Sequence, residues 1–275
     1  MRYPSSYLFL LLLLLSGLPA CFESEEGCLD IAATNFDASA DDPCPDCCTY
    51  PSLQLSINHQ MGDTVLRFGD PYVTDGNELF RVARIRFYLS ELELWQDGQY
   101  LGVSDTLVID TDNGPDTTML TISDNFALIN RNQFNYTFGN VSFNGTFDSL
   151  RFKVGLDAQV NGADPVSIPS GHPLEVSTDS MYFNVDSGYV FNQIWLQKDT
   201  TANTDTTYLS IGLNERLVEV ALPIDVSFSP GFDVDIAIDI DYLTWFTGIN
   251  FVDDSDDDLV TKIVSNTAQA FSLAE

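Results

Sequence analysis

Two imidazoles, five cysteines and a large excess of carboxylates are the groups in this 275-residue chain able to do chemistry. His59 follows Leu53, Leu55 and Ile57 at a spacing of two, and Met61 extends the series. That period puts the ring on the inward face of a strand, near its end. A polar ring buried there needs a partner or a ligand, and a hydrogen-bonded core histidine is the commoner solution. His172 stands in Pro169-Ser-Gly-His-Pro-Leu174, a loop by its turn residues. Neutral imidazoles from two such segments suit copper or zinc. Sharing one ion would place their Cβ atoms about 6–9 Å apart, given metal–nitrogen bonds of about 2.0–2.1 Å.

Cys28, Cys44, Cys47 and Cys48 form an even set, which in an exported chain suggests two disulfides of undetermined connectivity. Cys44 and Cys47 also have the spacing of a zinc knuckle or a redox dithiol, but no histidine lies near and the compartment is oxidising. Structural disulfides are the expectation. The run from Gly27 to Tyr50 resembles a short Cys-bounded acidic repeat of bacterial surface and secreted proteins, present here once. Its Asp30, Asn35, Asp37, Asp41 and Asp42 offer oxygens to a hard cation such as calcium, which takes six to eight of them. The spacing is not that of an EF-hand loop, and Asp110-Thr-Asp112-Asn113-Gly114 misses that pattern by one position. A stapled knob that binds nothing is an equal expectation, and either version spaces the main domain from the N-terminus.

Charge removes whole classes of partner. Lys and Arg total 11 against 41 Asp and Glu, a formal charge of -30. Phosphate backbones repel such a chain, and it has no basic stripe, so nucleic acid is excluded. The 19 Phe and 11 Tyr argue equally against global disorder. The acidity either gathers cations or solvates the surface, and solvation is the simpler account.

The elements that must position these groups are strands. Ile85, Phe87 and Leu89 alternate, and Leu92 and Leu94 continue in the opposite phase, so a bulge is expected at Ser90-Glu91. Leu150, Phe152, Val154 and Leu156 make another strand. A long one runs from Val218 to Phe228, with Pro223 favouring an edge or a bend. After Ser229-Pro-Gly231 come Phe232, Val234, Ile236, Ile238 and Ile240, with Asp233, Asp235, Asp239 and Asp241 facing the other way. Helical spacing appears only in Leu259, Val260, Ile263, Val264 and Phe271, entered through the acidic run 254–258. The fold class is all-β: an antiparallel β-sandwich with a short C-terminal helix, preceded by a small disulfide-stapled module.

Residues 1–20 have the parts of a secretory signal: one basic residue, a short apolar core and a small residue before Cys21. Leu18-Pro-Ala-Cys21 resembles a bacterial lipobox, with Cys21 as the lipidated N-terminus and the membrane as a partner through the anchor. Glu23, Glu25 and Glu26 resemble the acidic cluster that sends some lipoproteins to the outer face. The organisation expected is a signal over 1–20, a lipidated acidic Cys-rich module over 21–50 and a sandwich over 51–275. The location expected is the bacterial outer membrane, periplasmic or surface-facing. Three glycosylation sequons at Asn135, Asn140 and Asn144 are read as chance in that setting.

Several segments carry a family resemblance. They are Leu55 to Asp63, Arg84 to Leu94, Phe152 to Asp157, His172-Pro-Leu174, Met181 to Phe191 and Asn266 to Ser272. In this order over some 220 residues the chain resembles the MbnP-like family, exported copper-binding proteins of methanobactin loci with di-haem MauG-like partner enzymes. The resemblance implies copper held by histidines together with a tryptophan that the haem partner oxidises to kynurenine. The two tryptophan positions of that motif are Phe183 and Val185 here, and neither can become kynurenine. Trp195 lies downstream and does not match. On this resemblance His59 and His172 are the copper ligands, with Met181 and Asp186 as auxiliaries, and losing the oxidised ring weakens the site.

Two function classes follow. One is an exported lipoprotein that binds or hands over copper; the other is a surface-anchored structural or adhesion module whose histidines only hold the fold. An enzyme is not expected, since G-x-S-x-G, Walker and H-E-x-x-H runs are all absent from the sequence.

Overall fold

The computed structural model describes residues 23–44, 46–111, 118–176, 181–198 and 206–274. In chain order the first strands are β1 (Glu26–Gly27), β2 (Asp42–Pro43), β3 (Ser52–Met61), β4 (Thr64–Val65), β5 (Pro71–Val73) and β6 (Leu79–Gln96). Then come β7 (Gln99–Leu101), β8 (Thr106–Thr111), β9 (Thr118–Ser123), β10 (Phe126–Asn130), β11 (Asn135–Asn140) and β12 (Gly145–Val154). The short helix α1 (Ala158–Asn161) precedes β13 (Tyr182–Asn184), β14 (Gly188–Gln197), β15 (Thr207–Gly212), β16 (Val218–Phe228) and β17 (Val234–Asp241). Helix α2 (Asp256–Asn266) and β18 (Phe271–Leu273) close the chain.

Two sheets face each other. One has nine strands in the path β13-β14-β6-β12-β16, with β15 beside β14 and with β5, β7 and β10 beside β6. The other has five, β11-β3-β17-β18, with β4 on β3. The alternating residues of β3, β6, β12, β14, β16 and β17 fill one main core between them, which α2 also joins. The mostly-β sandwich with a short C-terminal helix is therefore the fold.

Several details differ from the sequence-based expectation. β17 runs parallel to β3, from Val234 opposite Leu53 to Asp241 opposite Gln60, so the sandwich is not wholly antiparallel. The turn at Ser229–Gly231 carries the chain from β16 in one sheet to β17 in the other, and a strand arriving that way need not oppose its new neighbour. Its aspartates are not simply solvated: Asp235 accepts from the Ser56 hydroxyl at 2.9 Å and Asp239 from the Asn58 amide at 2.8 Å, across the parallel pair. Phe232 lies before the strand and is 70% exposed, while Phe271 leaves the helical series to pair β18 with β17. Finally, the nine-stranded sheet is covered on both faces. Phe87, Leu89, Ala127 and Ile129 point into the main core, whereas Tyr88, Phe126 and Leu128 point the other way into a second, smaller one. The β8–β9 hairpin, α1 and the segments around Ile168, Leu174 and Met181 build that third layer.

Other expectations hold. The bulge falls where the phase slipped: Arg151 opposes Glu93 and Lys153 opposes Ser90, one extra residue on β6, with Glu91 at a φ of 51°. Pro223 sits in β16, an edge of its sheet. The acidic run caps α2, where Ser255 and Asp258 form a capping box and Asp256, Asp257 and Asp258 occupy the first turn. In the N-terminal module Cys28 pairs with Cys48 and Cys44 with Cys47.

Candidate functional site

His59 ends the inward series of β3 and is 2% exposed. Its Nε2 lies 3.0 Å from the Gln133 carbonyl, which can only accept, so Nε2 carries the proton and donates. Nδ1 then accepts from the Tyr242 hydroxyl at 2.8 Å, and the two rings stack with an interplanar angle of 6°. Burial holds the imidazole below its ordinary value of 6.5, Arg131 adds to that, and the Gln133 carbonyl works against it. Both nitrogens of this neutral ring are thus used inside the protein.

An acid-sensitivity follows. The unfolded chain takes up the His59 proton near the ordinary value, while the folded chain resists it to lower pH. Stability from this group is complete above about pH 6.5 and drains away as pH falls through the lower folded value. In urea unfolding from pH 7.5 to 5, the parent chain should lose stability more steeply than His59→Gln. Neutralisation of the many carboxylates is common to both and cancels. Equal slopes would mean that the ring is not held neutral.

His172 is placed differently. Its Nε2 lies 2.8 Å from an Asp124 carboxylate oxygen, and its Nδ1 accepts from the backbone N–H of Leu174 at 3.1 Å. The ring meets Phe126 edge-on, with centroids 6.1 Å apart. Asp124 and Phe126 stand at the start of β10, whereas Gln133, the partner of His59, follows its end. Five extended residues separate those ends by roughly 13 Å. The two histidines are therefore tied to partners at opposite ends of one strand, His59 stacking on Tyr242 of the main core and His172 meeting Phe126 of the small one.

The segment from Met181 to Phe191 packs on the same small core as His172. Met181 is 4% exposed within it, while Asp186 lies on the exposed turn between β13 and β14. Phe183 and Val185 are exposed at 42% and 54%. Val185 and Tyr182 help line a groove of about 530 Å³ with Asp164, Ile168 and Glu175. In the small core the Tyr88 hydroxyl is buried without a hydrogen-bond partner among the described residues, a costly arrangement unless something else meets it.

The donor chemistry separates the two histidines. His59 does not fit a resident copper, because occupying Nδ1 breaks its buried bond to Tyr242 and occupying Nε2 breaks its part-buried bond to the Gln133 carbonyl. His172 fits better: a metal-bound imidazole commonly gives its other N–H to a carboxylate, as Nε2 does to Asp124. Among the described residues a local backbone N–H, two residues away, is what faces Nδ1. Among the described residues no group of three His, Cys, Asp or Glu side chains gathers around one point.

The acidic module spends its oxygens internally. Asp30 accepts from the Ala32 N–H at 2.9 Å and the Tyr50 hydroxyl at 2.8 Å, which together hold its carboxyl below the ordinary range. Asn35 bridges Thr49 and Cys47, Asp37 accepts from Ser39, Asp41 from the Glu25 N–H, and Asp42 from the Ser24 hydroxyl. These bonds fold the knob instead of converging on a cation. Cys21 and the positions 112–114 lie outside the described residues.

A family model for MbnP matches residues 50–264. The chain belongs to the MbnP family. Membership fits a methanobactin-associated, copper-related exported protein. Among solved structures the chain is similar to MbnP from Methylosinus trichosporium, with 16% identity over 76% of this chain and 86% of that one and a TM-score of 0.44. No curated protein matches. No helix among the described residues is long and apolar enough to cross a membrane.

Sequence reasoning found both histidines and missed their partners. Tyr242 was legible, since it continues the inward series Ile236, Ile238, Ile240. Asp124 was not, because one acid among 41 Asp and Glu carries no signal of its own.

Proposed function

We propose that this member of the MbnP family is an exported lipoprotein, anchored through Cys21, that handles copper outside the cytoplasm at the rim of its small core. One observation carries the reading: His172 and Met181 border the same small core, which also holds Tyr88 with its unpartnered hydroxyl, while His59 is tied into the other core. An imidazole and a thioether are donors that suit copper(I). Asp124 orients the His172 ring, and the surrounding apolar residues limit access of water. The knob spaces the sandwich from the anchor. A haem-dependent oxidation has no tryptophan to act on at 183 and 185, and the chain is assigned no catalytic step.

Copper titration of the mature chain tests this, with His172→Ala, Met181→Leu and His59→Gln alongside. The expected result is about one equivalent in the parent and in His59→Gln, with affinity lowered about 10–100-fold in the other two. No stoichiometric copper in the parent would overturn it. The reading that would then stand is a surface-anchored structural module, which the full hydrogen bonding of all four imidazole nitrogens favours.

A further inference from the structure

The two disulfides of the N-terminal module are unlike in burial and reach. Cys28–Cys48 closes a separation of 20 residues, with Cys28 only 2% exposed. Cys44–Cys47 closes a separation of 3, with Cys47 exposed and Cys44 half-buried. A longer loop restricts the unfolded chain more than a short one does, so the first bond contributes more stability than the second. Exposure matters as well, since exchange requires an attacking thiolate to reach a sulfur.

The backbone around the short pair is held by other means. The Cys44 N–H donates to the Gly27 carbonyl at 3.0 Å, and the Cys47 carbonyl accepts from the Asn35 side chain at 2.7 Å. Neither bond depends on the sulfur–sulfur link. The two Cα atoms stand 5.6 Å apart, inside the range from which a disulfide forms.

We propose that Cys44–Cys47 is a reversible thiol–disulfide exchange site whose substrates are external thiols and dithiols, carried on a knob that Cys28–Cys48 keeps folded in both redox states. The thiolate of an external dithiol attacks the exposed Cys47 sulfur, the Cys44–Cys47 bond breaks, and Cys44 leaves as a thiolate that takes up a proton. The second thiol of the reductant then attacks the mixed disulfide and frees Cys47 as a thiol. Two electrons enter the protein, and the reductant departs as its own disulfide. The reverse sequence reduces an incoming disulfide to its dithiol and re-forms the Cys44–Cys47 bond. This site is independent of the copper reading.

Equilibrating the mature chain in glutathione buffers, then trapping thiols by alkylation and locating them by peptide mass, tests the proposal. Cys44 and Cys47 should label together at an at least about tenfold lower ratio of squared reduced to oxidised glutathione than Cys28 and Cys48. The variant carrying Cys44→Ser and Cys47→Ser should keep the knob's resistance to protease and show no labelling at that ratio. The variant carrying Cys28→Ser and Cys48→Ser should become protease-sensitive in residues 23–50. Simultaneous labelling of all four cysteines would overturn the proposal. So would labelling of Cys44 and Cys47 only in denaturant, or loss of the knob in the first variant.

Discussion

Replacing His59 by alanine lowers the unfolding free energy by about 3 kcal/mol, a large share of what holds a domain together. Two losses combine. The ring leaves a cavity beside Phe134 and Tyr242, and the Tyr242 hydroxyl keeps its place in the interior with nothing to donate to. Tyr242 is 1% exposed, and burial already pushes its phenol well above the ordinary value of 10, so ionising is no escape. The Gln133 carbonyl suffers less, because the Tyr136 hydroxyl also reaches it at 3.1 Å. The deficit is therefore concentrated on Tyr242, which makes it separable. Combining His59→Leu with Tyr242→Phe removes donor and acceptor together and should recover most of the loss, to within about 1 kcal/mol of the parent. Denaturant unfolding of the singles and the double forms the cycle. Additive losses would mean that the His59–Tyr242 bond contributes nothing and that packing alone explains the first value.

The same pair shows how far the sequence could be read. Period two in Leu53 to Met61 and in Val234 to Ile240 named both inward faces, because one buried face fixes the phase of every residue in a strand. It did not say that the two strands are neighbours running parallel, since alternation is identical in either direction. The second core was harder still. Tyr88, Phe126 and Leu128 alternate with main-core residues, so their strands are apolar on both faces, and a pattern that expects one wet face assigns the extra residues nowhere. The pairing of His59 with His172 rests on imidazole chemistry and on the family resemblance, because His172 stands in a loop and strand periodicity gives a loop no destination. The third layer gives His172 a separate destination, and its partner Asp124 sits in a turn that has no periodicity to betray it.

Gly188→Ala should be the most damaging single change in the segment on which the copper reading rests, costing about 3 kcal/mol or more. Gly188 opens β14 at a φ of 69°, a conformation that alone disfavours a side chain. The greater cost is steric. A Cβ there would run into the backbone and side-chain oxygens of Asn161 at the end of α1. Asn161 cannot yield cheaply, because its side-chain oxygen accepts from the Tyr189 N–H at 2.7 Å and its amide donates to Asn214 at 3.0 Å. Pushing it aside frees a buried N–H and moves Tyr189, whose ring packs against both Tyr88 and Tyr182 and whose hydroxyl donates to the Leu174 carbonyl at 3.1 Å. One methyl group is thus transmitted to the wall that holds Met181 and to the turn that holds His172. The variant should unfold at lower denaturant and, while still folded, lose copper affinity together with His172→Ala. Gly171→Ala is the control: φ is also positive there, at 84°, but open space surrounds the Cβ position, so only the backbone cost of about 1 kcal/mol is expected. If Gly188→Ala behaved like Gly171→Ala, the close approach of β14 to α1 would not be what fixes the small core. The glycine of that segment would then be a turn residue only, and its place beside the metal-handling side chains would be incidental.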